Sequence, residues 1–172
     1  MEDILTKILD KEDEKTIALF LKFPCLKKQG FVTKEQFIEI AKWKSSRPLK
    51  HYEANDERIV KEVTGIAFAT KNEKIKIHIL TALKGVNYPT ASAILMFYDQ
   101  VKYPVLDIRV WQQLYKAKLV DTNEKGQNFT LEEWKKYLEV IREKAKEFGL
   151  TARQVEKRLF DYDKSTRSEK LY

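Results

Sequence analysis

Cysteine is almost absent from this chain: Cys25 is the only one in 172 residues. A lone thiol excludes an internal disulfide, a cysteine-ligated iron–sulfur cluster and a cysteine-based zinc site. Histidine is nearly as scarce, with only His51 and His78, so a transition-metal centre is not expected. Five glycines and four prolines are too few for the punctuation that strand-and-turn architectures need. No apolar run reaches the roughly 20 residues that span a bilayer. The opening stretch MEDILTKILDKEDEK is acidic and amphipathic, unlike a signal peptide. A cytoplasmic protein with no membrane partner is expected.

What the chain does have is apolar content and charge. At 43% hydrophobic and 12% aromatic, it can bury one sizeable core, as one compact unit or two closely packed lobes. The fold class expected is all-α. Lys and Arg total 33 against 26 Asp and Glu, a net charge of +7. That balance favours a polyanionic partner, although a mildly basic surface with no such partner fits it too.

Local signals place the helices. Residues 13–23 read as a short helix buried on more than one side through Ile17, Leu19, Phe20, Leu21 and Phe23, and stopped by Pro24. Thr33 to Gln36 is a capping-box pattern opening a helix with Phe37, Ile40 and Ala41 on one face. Pro48 ends it, because the residue before a proline is pushed out of helical geometry. The loop Lys42-Trp43-Lys44-Ser45-Ser46-Arg47 then carries cations, hydroxyls and an indole. Asn55 can cap the next helix, with Ile59, Val60, Val63, Ile66, Ala67 and Phe68 toward the core. Ile75 to Leu83 forms another, with Ile75, Ile79, Leu80 and Leu83 at helical spacing. His78 lies beside that stripe as a partly exposed filler. Further capping patterns begin at Thr130, ahead of Trp134, Leu138, Ile141, Ala145 and Phe148, and at Thr151, ahead of Val155, Leu159 and Phe160. Residues 163–172 read as a frayed polar tail.

Two turns between helices carry the chemistry. In Leu83-Lys84-Gly85-Val86-Asn87, a glycine permits positive φ and close approach of an anion to the backbone. Asn87 stands next, as the residue most tolerant of left-handed geometry after glycine. Backbone amides at the start of the following helix lack intrahelical partners and can bind an anion. The second turn, Tyr103-Pro104-Val105-Leu106-Asp107, delivers a carboxylate to the start of a helix. There Asp107 can accept helix-terminal amides as a plain N-cap. It can also stabilise positive charge developing on a sugar, or orient a water.

The stretch LKGVNYPTASAIL resembles the helix-hairpin-helix of the base-excision DNA glycosylase superfamily, the endonuclease III-like fold, whose common form is L-P-G-V-G-x-[K or S]-T-A. The aspartate after Tyr103-Pro104-Val105-Leu106 resembles that superfamily's second motif, a short loop ending in Asp at a helix start. The resemblance implies a helical unit over 1–162 with the hairpin at 75–98 and the aspartate loop at 103–109. It implies a double-stranded DNA partner, held by Lys84, Gly85, Val86, Asn87, Tyr88 and Thr90, with Lys102 and Arg109 assisting. By position, Lys44, Ser45, Ser46 and Arg47 would enter the minor groove, while Trp43, Tyr88 and Trp111 would wall the base pocket. Asp107 would be the catalytic residue. No cofactor is required; a monovalent cation could sit on the carbonyls of Thr81, Leu83 and Val86.

The chain also departs from the superfamily's pattern. Pro89 stands where bifunctional members carry a nucleophilic lysine, so Schiff-base strand cleavage is not expected. The implied activity is that of a monofunctional, monomeric, nucleoid-associated glycosylase. Two other readings stay open: a non-catalytic helix-hairpin-helix module that recognises duplex or damaged DNA, and a scaffold that kept the fold and lost DNA.

Overall fold

The computed structural model describes residues 1–7, 12–23 and 26–168, and every regular element among them is a helix. In chain order these are α1 (Glu2–Lys7), α2 (Glu14–Lys22), α3 (Leu26–Gln29), α4 (Lys34–Lys44), α5 (Leu49–Glu53), α6 (Glu57–Ala69), α7 (Glu73–Leu80), α8 (Tyr88–Tyr98), α9 (Ile108–Lys116), α10 (Leu131–Phe148) and α11 (Ala152–Thr166). The all-α expectation holds. Among the described residues no helix is long and apolar enough to cross a membrane. The helix stop expected at Pro24 lies outside the described residues; α2 ends at Lys22 with Phe23 as its C-cap.

Hydrogen bonds local to the sequence set most helix starts. Thr33, Thr130 and Thr151 each form the full reciprocal capping box with Gln36, Glu133 and Gln154. The centre of the fold is α8, in which Thr90 through Phe97 are all buried. A helix apolar around its whole circumference must be enclosed by others, and α3, α4 and α7 pack on it. A second group forms around α11, which packs on α1, α9 and α10, and α10 also meets α7.

Several expected core faces are corrected. Ile17 and Leu21 are 46% and 76% exposed, so α2 buries one face rather than several. On α6 the core takes Val60, Val63 and Ala67, while Ile59 and Ile66 stay 39% and 45% exposed. On α7, capped by Asn72, Ile75 faces out at 51% exposed and Ile77 is fully buried. Asn55 is not a cap: Asp56 accepts the amides of Arg58 and Ile59 in its place.

The tail is corrected too. Residues 163–166 belong to α11, and Asp163 is 1% exposed. It accepts from Arg109 at 3.0 Å, Gln113 at 2.6 Å and Arg167 at 2.8 Å. Residues 169–172 of the expected tail lie outside the described residues. Burial raises the Asp163 carboxyl, but the bonds from Arg167, Gln113 and Arg109 outweigh it and leave the group below its ordinary value of 3.8. A folded-state value below the unfolded one adds stability above about pH 4, lost as pH falls through the lower folded value. Asp163→Asn should therefore cost about 2–4 kcal/mol at neutral pH. It should also flatten the fall in melting temperature below pH 4, as read by calorimetry across pH.

Candidate active site

The first turn, residues 81–87, joins α7 to α8, which pack on one another. Gly85 has φ +84°, as the sequence requires, but a second reason for glycine is structural. A Cβ there would lie 2.9 Å from His51 Cβ and 3.0 Å from Tyr52 Cδ1, so the turn is pressed onto α5. Asn55 holds it there from a buried position. Its Oδ1 accepts the Lys84 amide at 2.8 Å, and its Nδ2 donates to the carbonyls of Lys84 at 3.1 Å and of His51 and Tyr52 at 3.0 Å. Asn55→Ala should destabilise the fold by about 1–3 kcal/mol and speed amide exchange at Lys84, which hydrogen-exchange NMR would read.

The anion-site expectation is altered at α8. Asn87 is not left-handed: with φ −108° and ψ 176° it is the N-cap, and its Oδ1 accepts the Thr90 amide at 3.0 Å. The Thr90 hydroxyl turns inward to Asn87 Oδ1 at 3.0 Å and to Tyr52 at 3.4 Å. Thr90 therefore faces the interior. Val86 is buried and its amide donates to Leu83 O at 3.1 Å. Among the described residues no cluster of His, Cys, Asp and Glu could hold a metal. Lys84 is exposed in the turn, and Tyr88, half-buried beside it, meets the exposed His78 through Nδ1 at 2.8 Å.

The second turn is braced from three sides. The Tyr103 hydroxyl donates to Glu73 at 3.0 Å, the Val105 carbonyl accepts from Tyr137 at 2.8 Å, and the Leu106 amide donates to Ser92 Oγ at 2.8 Å. Burial pushes the Tyr137 phenol well above its ordinary value, with the charges of Glu156 and Asp107 adding to it. The Ser92 bond ties the aspartate loop to the helix that follows the first turn. Asp107 then caps α9, its Oδ1 accepting the Arg109 amide at 2.9 Å. Its Oδ2 accepts from Lys44 Nζ at 2.7 Å, an ion pair whose side chains are only 15% and 11% exposed.

Asp107 and Lys44 line a cleft of about 840 Å³. Trp43 joins them from the end of α4, Phe160, Arg153, Glu156 and Lys157 from α11, and Glu12 and Asp13 from the residues before α2. Trp43 is fixed by its Nε1 bond to Thr16 at 2.9 Å and by an edge contact with Phe97. In the cleft wall, Arg153 contacts the nearly fully buried Glu156. Burial pushes the Glu156 carboxyl up, against the pull of Arg153, and Asp107 adds to the rise.

The structure thus brings together Asp107, Lys44 and Trp43, and separates others expected with them. Trp111 is no pocket wall: it is fully buried, with Nε1 bonded to Asn123 O at 2.8 Å and its ring against Phe129 and Tyr137. Tyr88 is not among the residues lining the Asp107 cleft. Arg109 is spent on Asp163 and lies over Phe160, which corrects its assignment to DNA. Lys44 turns in to Asp107 rather than out, Ser45 is half-buried, and Ser46 and Arg47 are exposed, as is Lys42 before them. Lys102 is exposed at the far end of the aspartate loop, its carbonyl accepting from Arg142.

Glu12, Arg153 and Glu156 were not found from the sequence. One signal was available: Arg153 is a cation in the first turn of α11, against the helix dipole, and Glu156 follows at the (i, i+3) spacing of a helical pair. No protein-family model matches the chain, and neither a curated protein nor a solved structure matches it.

Proposed function

We propose that the protein is a monofunctional DNA N-glycosylase that binds duplex DNA and hydrolyses the N-glycosidic bond of an extruded base with Asp107. The observation that carries the reading is the position of that carboxylate. It stands at a helix start, faces a cleft large enough for a nucleotide, and has an indole and a phenyl ring in the cleft walls. Extrusion needs such stacking faces, and Trp43 and Phe160 supply them.

In this reading the 84–88 turn and the exposed Ser46–Arg47 loop take phosphates, Lys84 and Lys102 add charge, and the monovalent cation, where bound, stiffens the first turn. The glycosidic bond breaks with its electron pair leaving on the base. Asp107 stabilises the cationic sugar and orients the water that adds to it, whose proton passes to solvent or base. Lys44 must yield Oδ2 for that water. The test is base release from duplexes bearing uracil, 8-oxoguanine, an alkylated purine or a mismatch.

The second reading is a non-catalytic DNA-binding module, and the Arg109 amide bond favours it, since Asp107 does act as a cap. The two differ in one respect: a cap needs neither Lys44 nor a cleft.

A further inference from the structure

The cleft beside Asp107 contains an arginine with one more carboxylate than its charge needs. Arg153 is 5% exposed, and its Nη1 contacts Glu156, which is 2% exposed. That pair is already neutral. The other edge of the guanidinium, Nε and Nη2, is met by both oxygens of Glu12, at 3.2 and 3.1 Å. Two parallel N–H···O bonds along one edge are what a guanidinium offers to carboxylates and phosphates alike. The guanidinium carbon lies 5.7 Å from the centre of the Trp43 ring, a flat wall for whatever lies next to that edge. The site also sits at the start of α11, where the helix dipole favours an anion.

We infer that the Nε/Nη2 edge of Arg153 is a phosphate-binding subsite of the Asp107 cleft, which Glu12 occupies in the free protein. The side chain of Glu12 is 22% exposed against 6% for Arg153 and 3% for Glu156, so Glu12 is the partner that water reaches and that can leave. A phosphodiester taking its place carries the same single charge, and the exchange leaves the buried Arg153–Glu156 pair intact. The ligand is a phosphate ester, from a polynucleotide or from a small phosphorylated molecule. The subsite stands independently of base hydrolysis.

The test is Glu12→Gln in the full chain, which keeps the shape and removes the competing charge. Inorganic phosphate is titrated at matched ionic strength while the Nε–H resonance of Arg153 is followed by NMR. A subsite held closed by its own carboxylate gains apparent affinity when that occupant is removed, here on the order of tenfold. The Arg153 resonance should move with phosphate. Glu14→Gln removes another acid that lines the same cleft and should leave affinity unchanged. An equal gain in both variants means bulk charge alone and overturns the subsite, as does an Arg153 resonance that ignores phosphate. Should Glu12→Gln melt early, the same resonance in the wild-type protein at high phosphate decides the matter. A duplex oligonucleotide that also tightens on Glu12→Gln identifies the source as nucleic acid. Tightening of phosphate alone keeps the subsite and assigns it to a small phosphorylated ligand.

Discussion

Asp107→Asn should abolish base release while the protein stays folded and bound to duplex DNA. Asparagine ranks with aspartate as a helix N-cap, and its Oδ1 can still accept the Arg109 amide that Asp107 accepts at 2.9 Å. The stability cost should therefore be about 1.5–3 kcal/mol, most of it from Lys44 losing its charged partner in a site where both side chains are mostly covered. What asparagine cannot supply is negative charge opposite a cationic sugar. Loss of one such electrostatic contribution in a water-poor site costs on the order of 10³-fold in rate. Single-turnover abasic-site formation, read beside duplex anisotropy and a melting curve, separates the three quantities. Undiminished release by the asparagine variant would reduce Asp107 to a cap.

Gly85→Ala should be the most destabilising single change in the first turn. Alanine at φ +84° is strained by roughly 1–2 kcal/mol. Its Cβ would press on the fully buried Tyr52 ring at 3.0 Å and on His51 Cβ at 2.9 Å, and overpacking of that kind adds about 1–3 kcal/mol. A total near 3 kcal/mol lowers the melting temperature of a chain this size by about 6–12 °C. Relief of the clash has to move the turn off α5, which breaks the Asn55 bonds to Lys84 and displaces the amides proposed to meet phosphate. Duplex affinity should therefore fall along with stability. Gly30→Ala is the matched control: it shares a positive φ of 75° but has nothing within 4 Å of the added Cβ, so its loss should be smaller and duplex binding unchanged.

How much of this was legible in the sequence depends on the range over which each feature is decided. The capping boxes at Thr33, Thr130 and Thr151 close within four residues, and each formed as the pattern indicates. Asp107 as a helix start is equally local. Asn55, expected as the cap of α6, is taken up instead by the Lys84 backbone of the first turn, and Asp56 caps the helix. The outward Ile59, Ile66 and Ile75 show where periodicity fails: an amphipathic stripe has a direction, but its width is set by how closely the neighbouring helices approach. The cleft was the least legible part. Its Lys44–Asp107 pair spans 63 residues and its Arg153–Glu12 pair 141, separations at which spacing carries no information. Trp43 and Trp111 looked alike as indoles near a motif, yet one walls the cleft and the other fills the core.

The central claim, that the carboxylate in this cleft cuts a glycosidic bond, is met most directly by counting abasic sites. Wild-type protein in excess over duplexes carrying uracil, 8-oxoguanine, an alkylated purine or a mismatch should convert at least one of them to an abasic site without breaking the strand. Duplexes that the protein binds but returns with every base in place would contradict the account and leave a DNA-binding module in its stead.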